Sequence, residues 1–432
     1  PWNPATTRLV LGPPGTGKTT HLLYVLGEYL SSGVPPESIA VATYTRAARR
    51  EILDRMLAQF RLTVDRLPWV RTLHSSAARL LSPIQGRFFA DADWQAFGQS
   101  YGYDLRDRQA SQPADDGTLW GWRLGGLGGD DTLRAAMEWS RLTLRPLADA
   151  CRYGPWRAAP SLESVRAFTQ RYRAYKGTHG LIDYTDLLEA VLRSDARPDA
   201  LEVLLIDEAQ DMAGLMLAIA RAWAAHCSAV VIVADDDQHV FGYSGASAAW
   251  LVDLARRVPT ETLRQSYRVP RLVQTIAGAL ITRNRHRVRK AWAPRAADGT
   301  VCRWDAGRAL AEAVRRVTRD DHATAMLLVR NRVFAHPLVT ELRARLVPYT
   351  CLPTGGVYDI ERRTPRGLVR FVDAVATATR LMEGAAVPWA ELGVAISAYV
   401  PAGAMCRWGL KAKLPREGVV TMAQLAETLL AP

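Results

Sequence analysis

The sequence predicts an α/β fold built on a doubly wound parallel sheet. Short β-rich runs alternate with helical stretches early in the chain, two later apolar runs have the character of buried strands, and a glycine-rich loop separates the first strand from the first helix. Strands that alternate with helices form parallel sheets, and such sheets bind ligands at the carboxyl ends of their strands. The chemistry is therefore expected where the strands end.

Each element is predicted from its own pattern. Strands are predicted at residues 7–12, 38–45, 70–74, 202–209 and 229–237. Helices are predicted by apolar spacing at residues 19–33 and 46–60. Residues 78–180 are expected to form a mostly helical insertion. A second α/β region is expected after residue 273, with a strand at 323–332 and a helix at 367–382.

Length and charge narrow the class of protein. A chain of 432 residues suggests two to four domains. The formal net charge is +12, from 55 basic and 43 acidic residues, so a polyanionic partner such as nucleic acid is expected. Because lysine occurs at only five positions, an arginine-rich composition bias is the alternative explanation of the same charge.

The cysteine spacing and the length of the apolar runs predict where in the cell the protein is found. The five cysteines lie far apart without a CxxC pair, which argues against a zinc or iron–sulfur site and against a disulfide scaffold. No apolar run reaches the roughly 18 residues that span a bilayer, and the first residues show no signal-peptide pattern. A cytoplasmic protein without a membrane partner is predicted.

The segment GPPGTGKT, residues 12–19, matches the pattern G-x-x-x-x-G-K-[ST] between a predicted strand and a predicted helix. Its glycines allow successive backbone N–H groups to point inward at phosphates. Lys18 is expected to reach the β- and γ-phosphates of ATP, and Thr19 is expected to bind Mg²⁺. A glycine-rich turn without a ligand is the alternative.

The segment LLIDEAQD, residues 204–211, ends a predicted strand on two acids. Asp207 is placed to hold Mg²⁺ through water, and Glu208 is left to orient or deprotonate an attacking water. Two acids after an apolar run are usually a solvated strand end. The upstream phosphate loop favours the functional interpretation.

The chain carries, in order, the segments GPPGTGKTT, TYTRAARREI, TLHS, LIDEAQD, ADDDQHVFGYSGA and LRQSYR. In this order the chain resembles superfamily 1 helicases of the UvrD/Rep type over roughly residues 8–380. The resemblance implies a P-loop NTPase with two RecA-like domains, each bearing an insertion. The implied division is domain 1A at 1–77 and 181–272, helical insertion 1B at 78–180, the start of domain 2A at 273–380, and a partial insertion 2B at 381–432.

The resemblance also implies further roles at the nucleotide. Gln238 resembles the glutamine that senses the γ-phosphate, Tyr267 the ring that stacks on adenine, and Arg268 the arginine that stabilises charge on the transferring phosphoryl group. A surface arginine within a basic run is the alternative for Arg268. The implied nucleotide-binding set is Gly12, Gly15, Thr16, Gly17, Lys18, Thr19, Thr20 and Tyr267.

Single-stranded DNA and single-strand/double-strand junctions are the implied partners. Non-specific binding of a strand needs rings for base stacking and groups that contact its backbone. The family presents aromatics at the positions of Tyr44, Phe241 and Tyr243, and backbone-contacting residues at the positions of Thr45, Arg46, Thr72 and His74. A run from Arg264 to Arg295 with nine basic and no acidic residues either contacts DNA or is a solvated face.

Three consecutive acids, Asp235, Asp236 and Asp237, end the strand predicted at 229–237. They are expected to be tolerated because the strand end opens into a cleft filled by Mg²⁺ and water, near Lys18 and Arg268. The segment that contains them is expected to couple the γ-phosphate to DNA.

The predicted function is an ATP-dependent single-stranded-DNA translocase and helicase in repair, recombination or replication, with a 3′ to 5′ direction implied by the family. The alternatives are a truncated, non-motor fragment that binds ATP and DNA, and the motor part of a helicase–nuclease. Three departures from the family pattern stand out. Residues 1–11 contain no adenine-reading glutamine, Ser244 replaces an arginine, and the fifth and sixth motifs have no match, so a truncated chain with poor hydrolysis is expected.

Overall fold

The computed structural model describes residues 2–105, 130–156, 158–284, 286–320, 323–329, 332–344, 362–364, 367–369, 371–393 and 418–425. The chain forms two compact units, Pro1–Arg303 and Trp304–Pro432. The first unit extends past residue 273 because Arg287 and Lys290 bind aspartates that follow one of its strands. The division into domains 1A, 1B, 2A and 2B stays a prediction.

A parallel sheet is the centre of the first unit. The strands of the described chain are β1 (Thr7–Leu11), β2 (Ile39–Thr43), β3 (Val70–Thr72), β4 (Arg87–Phe88), β5 (Leu181–Ile182), β6 (Val203–Ile206), β7 (Ala229–Ala234), β8 (Thr260–Thr262), β9 (Arg362–Thr364), β10 (Gly367–Val369), β11 (Val387–Pro388) and β12 (Val419–Val420). Six of them form one sheet in the order β3-β2-β6-β7-β1-β8, and each neighbouring pair is parallel. The predicted α/β fold is confirmed.

Helices make up most of the remaining regular structure. They are α1 (Lys18–Ser31), α2 (Arg46–Phe60), α3 (Leu73–Leu80), α4 (Asp91–Tyr101), α5 (Asp131–Thr143), α6 (Leu147–Tyr153), α7 (Leu162–His179), α8 (Tyr184–Ser194), α9 (Gly214–Ala224), α10 (Ala249–Leu254), α11 (Arg271–Ile281), α12 (Ala306–Arg319), α13 (Arg332–Ala344) and α14 (Phe371–Met382). None of the helices in the described part of the chain combines the length and the apolar character that crossing a membrane requires.

Both faces of the sheet are buried. Side chains alternate between the faces of a strand, so Leu9 belongs to one apolar core and its neighbour Val10 to the other. Helices α1 and α2 cover the Val10 face with residues such as Leu22, whereas α8 and α9 cover the Leu9 face with residues such as Trp223. A strand buried on both faces reads as a continuous apolar run, which is why these strands were recognisable in the sequence.

The strand order assembles the site. Strands β6, β7 and β1 are adjacent and parallel, so their carboxyl ends meet at one edge of the sheet. Asp207 follows β6, Asp235 follows β7 and Gly12 follows β1. Segments that lie far apart in the chain are therefore brought to the same edge, as expected for ligand binding in open parallel sheets.

The described residues between β3 and β6 are mostly helical, as predicted. Helices α4 to α7 enclose an aromatic core that includes Phe97, Phe168 and Tyr172, and the ring of Trp94 stacks on Tyr172 with centroids 4.9 Å apart. This insertion has its own core, separate from those on the sheet.

A buried ion network joins the insertion to α8. Arg141 of α5, whose side chain is 8% exposed, lies 2.8 Å from Asp183, 2.7 Å from Asp186 and 2.9 Å from Glu189. Burial raises the pKa of neighbouring Glu138 to about 7, although Arg141 opposes that rise. Removing one member of such a network leaves uncompensated buried charge, so the network fixes α5 against α8.

The second unit contains two antiparallel strand pairs, β9 with β10 and β11 with β12, together with α12 to α14. The predicted strand at 323–332 is wrong: residues 323–329 pair with no strand of the described chain, and Arg332 begins α13. The predicted helix at 367–382 begins only at Phe371, because residues 367–369 pair with 362–364 as a strand. Leu381, Val387 and Trp389 belong to a small apolar core.

Candidate functional site

The loop between β1 and α1 has the shape of a phosphate cradle. Gly15 and Gly17 have φ angles of 72° and 82°, in the left-handed region that favours glycine. The Lys18 ammonium donates to the Gly12 carbonyl at 3.2 Å, and a Cβ at Gly12 would lie 2.1 Å from Lys18 Cγ. The 14-residue helix α1 starts at Lys18 with no acid in its first turn. A helix N-terminus without acids favours an anionic ligand such as a phosphate.

Two acids after β6 face this loop. Glu208 Oε1 lies 3.5 Å from Lys18 Nζ, which pairs the two predicted catalytic groups. Asp207 is 2% exposed, and burial, with the charge of Glu208, raises its pKa to about 7. Glu208 itself has φ 49°, a left-handed conformation that strains a residue other than glycine and often occurs at functional sites.

Carboxylate and hydroxyl groups lie near the phosphate loop at this edge, and this donor set fits a divalent cation. The pKa of Asp211 is raised to about 7, first by burial and then by Glu208. Asp211 Oδ1 is buried and has no hydrogen-bond partner among the described residues. Mg²⁺ prefers carboxylate and hydroxyl oxygens. Asp207 and Thr19, the predicted ligands, stand at the ends of the two elements that form this edge.

The three aspartates after β7 are buried in ion pairs. The Lys290 ammonium, whose side chain is 1% exposed, lies 2.9 Å from both Asp235 Oδ1 and Asp237 Oδ2 and also contacts Asp236. Arg287 makes two hydrogen bonds to Asp237, at 2.8 and 2.7 Å. The expectation that these acids open into a cleft of Mg²⁺ and water is wrong. Lys290 and Arg287 supply the compensating charge, as buried acids require.

Gln238 is held close to this cluster. Its Nε2 donates to Asp235 Oδ2 at 2.7 Å, and its side chain is half-buried. The predicted γ-phosphate sensor therefore lies one residue beyond the acid cluster, at the edge shared by β7 and β1. Part of the basic run from Arg264 to Arg295 is committed to intramolecular ion pairs.

The segment around Arg268 packs directly on the phosphate loop. Ser266, fully buried, donates its hydroxyl to the Pro14 carbonyl at 2.8 Å, and the Tyr267 backbone N donates to Gly15 O at 2.9 Å. A Cβ at Gly15 would lie 2.4 Å from Arg268 Cβ, so this close approach requires glycine. Tyr267 is 75% exposed and Arg268 is exposed. Both side chains are thus exposed beside the loop, and their roles in binding adenine and stabilising the phosphoryl group stay predictions.

Ser266→Ala is expected to loosen this attachment. The Ser266 hydroxyl also accepts from the Val269 N–H at 3.1 Å, so alanine removes the partner of a partly buried carbonyl and of a partly buried N–H. The expected loss is about 1–3 kcal/mol in the free energy of unfolding, with weaker nucleotide affinity. Urea unfolding and fluorescent-nucleotide titration measure the two effects. Ser228→Ala, which removes an exposed hydroxyl bonded to Glu202 O, is the control; equal losses in both variants would contradict the role.

Two of the predicted DNA-contacting rings lie together. Tyr44, after β2, and Phe241, after β7, have ring centroids 5.2 Å apart at an interplanar angle of 50°. Arg46 is exposed at the start of α2. The side chain of Tyr243 lies outside the described residues. Tyr44 follows β2 and Phe241 lies beyond β7, so both rings lie at the carboxyl edge of the sheet, where the nucleotide loop after β1 also lies.

The predicted backbone-contacting residues are partly used inside the protein. Thr45 and Thr72 cap α2 and α3, accepting from Ala48 N at 3.1 Å and Ser75 N at 3.3 Å. Burial, with a smaller effect of Arg46, lowers the pKa of His74 to about 4, so its ring is neutral at pH 7. Its Nε2 is buried without a hydrogen-bond partner among the described residues. The neutral ring of His74 therefore does not attract phosphate by charge.

The remaining predicted site residues line the loop itself. Thr16 donates its hydroxyl to Pro13 O at 2.7 Å, which stabilises the turn. Thr20 is exposed and accepts from Arg55 at 2.9 Å. Sequence reasoning missed Ser266, Arg287, Lys290 and Gln210. A basic run without acids, paired with a run of three acids, was the available signal for two of them.

Comparison with known proteins gives a consistent result. Residues 2–259 match the model of the UvrD/REP helicase N-terminal domain. The chain is 27% identical over 303 residues to ATP-dependent DNA helicase UvrD2 of Mycobacterium tuberculosis H37Rv, covering 65% of this chain and 42% of that protein. It is 27% identical over 401 residues to DNA helicase II of Escherichia coli K12, covering 86% of this chain and 53% of that protein.

A third relative, ATP-dependent DNA helicase PcrA of Leuconostoc citreum, is 25% identical over 300 residues, or 66% of this chain and 38% of that protein. The chain thus spans about half or less of the length of these relatives. The family match covers more than half of the chain and includes β1 to α10, the phosphate loop and both acidic segments. The chain belongs to the UvrD/REP helicase family.

Proposed function

We propose that the chain is the ATP-binding part of a single-stranded-DNA translocase and DNA helicase that moves 3′ to 5′. One observation carries the proposal: Lys18 and Glu208 face each other 3.5 Å apart, while the segment bearing Arg268 is hydrogen-bonded to the same loop. A phosphate-binding lysine, a base and an exposed arginine at one loop are the set that phosphoryl transfer to water needs. The family membership supports a nucleic-acid substrate.

Each residue has a separate part in the proposed hydrolysis. The loop amides and Lys18 bind the phosphates, and Tyr267 stacks on the base. Glu208 orients water and takes its proton, Gln238 senses the γ-phosphate, and Arg268 stabilises negative charge as it develops. A Mg²⁺ ion held by Thr19 and Asp207 would offset phosphate charge.

The proposed DNA path follows the rings at the carboxyl edge. Tyr44, Phe241 and Tyr243 stack on bases of a single strand, while Arg46 and His74 contact its backbone or base edges. We place Thr45 and Thr72 with them as helix caps that orient the path. The junction between single- and double-stranded DNA is the proposed working substrate, within the reducing cytoplasm and a repair, recombination or replication pathway.

The domain organisation is proposed along with the activity. Residues 1–77 and 181–272 are assigned to domain 1A and 78–180 to insertion 1B. Residues 273–380 are assigned to the start of domain 2A and 381–432 to part of 2B. The described core of the sheet and the separate aromatic core of the insertion support the first two assignments.

Steady-state ATPase assays with and without poly-dT test the proposal. DNA-stimulated turnover is expected, and a single-turnover assay run beside it separates hydrolysis from product release. A chain that binds nucleotide and DNA but shows no steady turnover would instead be a non-motor binding protein. Strand separation on a partial duplex with a 3′ overhang, compared with a 5′ overhang, tests the direction.

The stacking rings give a separate prediction. Phe241→Ala and Tyr44→Ala are each expected to weaken poly-dT binding by about 1–3 kcal/mol, the usual contribution of one base–ring stack. Fluorescence anisotropy at fixed salt measures the change. Tyr153→Ala, at an exposed ring on α6, is the matched control and should have no effect. Unchanged DNA affinity in both test variants would remove these rings from the proposed path.

A further inference from the structure

Gln210 links the ends of two strands. It lies in the short turn Ala209–Asp211 after Glu208 and is 2% exposed. Its Nε2 donates to Glu208 Oε2 at 2.7 Å, and its Oε1 accepts from the Asp235 backbone N at 3.1 Å. A flipped amide would place oxygen against carboxylate and N–H against N–H, so only one orientation satisfies both ends. The glutamine therefore ties the carboxylate after β6 to the backbone after β7.

The Asp235 end of this link is itself fixed. Asp235 is 1% exposed, its Oδ1 lies 2.9 Å from the Lys290 ammonium, and its Oδ2 accepts from Gln238. Buried charge pairs in a tightly packed setting have few alternative geometries. The backbone N–H that Gln210 binds is consequently held in place by Lys290.

The Glu208 carboxylate needs a hydrogen bond that fixes its orientation. Its side chain is 35% exposed and its Oε1 lies 3.5 Å from the Lys18 ammonium. The Gln210 hydrogen bond engages the opposite oxygen, Oε2. Without that bond, Lys18 at 3.5 Å still attracts the carboxylate, and a carboxylate drawn toward a lysine is less well placed to accept a proton from water. A small misplacement of a catalytic group costs rate more than binding.

We propose that Gln210 is the positioning residue for Glu208, and that Asp235 and Lys290 anchor its far end. This inference rests on the proposed ATP hydrolysis at the same site. Gln210 touches no phosphate or water in this assignment. It acts through Glu208 alone, and so its loss should affect the rate of hydrolysis and not the affinity for nucleotide.

Gln210→Met and Gln210→Ala test the proposal in the full chain. Methionine conserves the volume of glutamine but cannot form either hydrogen bond. Both variants are expected to lower kcat for DNA-stimulated ATP hydrolysis by about 10²-fold, with the KM for ATP changed by less than about twofold. Gln170→Met, at an exposed position on α7, is the matched control and should match the unmodified chain.

The outcomes separate positioning from packing. A Gln210→Met variant with native kcat would show that glutamine only fills space, and a loss confined to KM would show a role in binding; either overturns the inference. Far-UV circular dichroism confirms that the variants are folded.

A second measurement does not depend on turnover. The shift in urea midpoint caused by Gln210→Met is compared in the native chain and in a Glu208→Ala background. A smaller shift without Glu208 supports the link, because coupled residues are not additive. Equal shifts overturn it. If the unmodified chain shows no ATPase activity, the proposed function fails, and this comparison still decides the link between Gln210 and Glu208.

Discussion

Glu208→Gln is expected to lower DNA-stimulated ATP turnover by about 10²–10⁴-fold, the usual contribution of a general base. The amide cannot take a proton from water, but its oxygen can still accept from Gln210, so the local geometry is retained. Nucleotide affinity should be preserved, because Lys18 and the loop amides remain. Steady-state ATPase rates and fluorescent-nucleotide titration give the two readings.

The matched control for this variant is Glu163→Gln, at an exposed position on α7. It removes one carboxylate without touching the loop and should turn over at the native rate. If Glu208→Gln turns over ATP at a rate close to that of the control, another group must take the proton from the attacking water. The proposed role of Glu208 would then be wrong.

Lys290→Met is expected to lower the free energy of unfolding by about 3–5 kcal/mol, as when one partner of a buried ion pair is removed. Three carboxylates then remain buried, with Arg287 as the cation still paired to Asp237. Because Asp235 also holds Gln238 and Gln210, the loss should reach the nucleotide site. Urea unfolding measures the change. Arg289→Met, which removes an exposed positive charge one residue away, should have little effect.

The pH dependence of this variant follows from the same charges. Burial alone would raise the pKa of Asp237, but hydrogen bonds from Arg287 and Lys290 lower it. A carboxyl with a lowered pKa stabilises the fold above its unfolded pKa of about 3.9, and that stability is lost as the pH falls through the folded value. Burial would likewise lower the pKa of Lys290, but Asp235 and its neighbours raise it. The contribution of Lys290 to the stability of the fold is complete below its unfolded pKa of about 10.4. It is lost as the pH rises through the higher pKa of the folded state.

A lower pH should therefore reduce the difference in unfolding free energy between the unmodified chain and Lys290→Met. Protonation removes the uncompensated charge that destabilises Lys290→Met, whereas the ion pairs of the unmodified chain persist until the pH falls through their lowered pKa values. The difference in unfolding free energy is expected to be largest near pH 7 and to shrink toward pH 4. A difference that is constant over this range would show that the lost stability comes from packing of the lysine stem and not from its charge.

Much of the first unit was predictable because its signals are local. A strand buried on both faces is a continuous apolar run, and a phosphate loop needs glycines next to a helix start, so β1, β2, β6, β7 and the loop were placed to within a few residues. The second unit was less predictable: residues 323–329 look like a strand by composition but pair with no strand of the described chain. Strand pairing depends on a partner, which a local pattern does not show.

The sequence by itself determined the family motifs, the parallel sheet and the identity of Lys18, Asp207 and Glu208 as the candidate chemistry. The tertiary structure decided which charges meet. It showed that Lys290 and Arg287 neutralise the acids after β7 and that Ser266 fastens the arginine segment to the phosphate loop. The reason is distance along the chain: Ser266 lies 252 residues from Pro14, and Lys290 lies 54 residues from Asp236. Folding brings such groups together, and neither the hydrophobic periodicity nor the spacing of motifs in the sequence predicts these contacts.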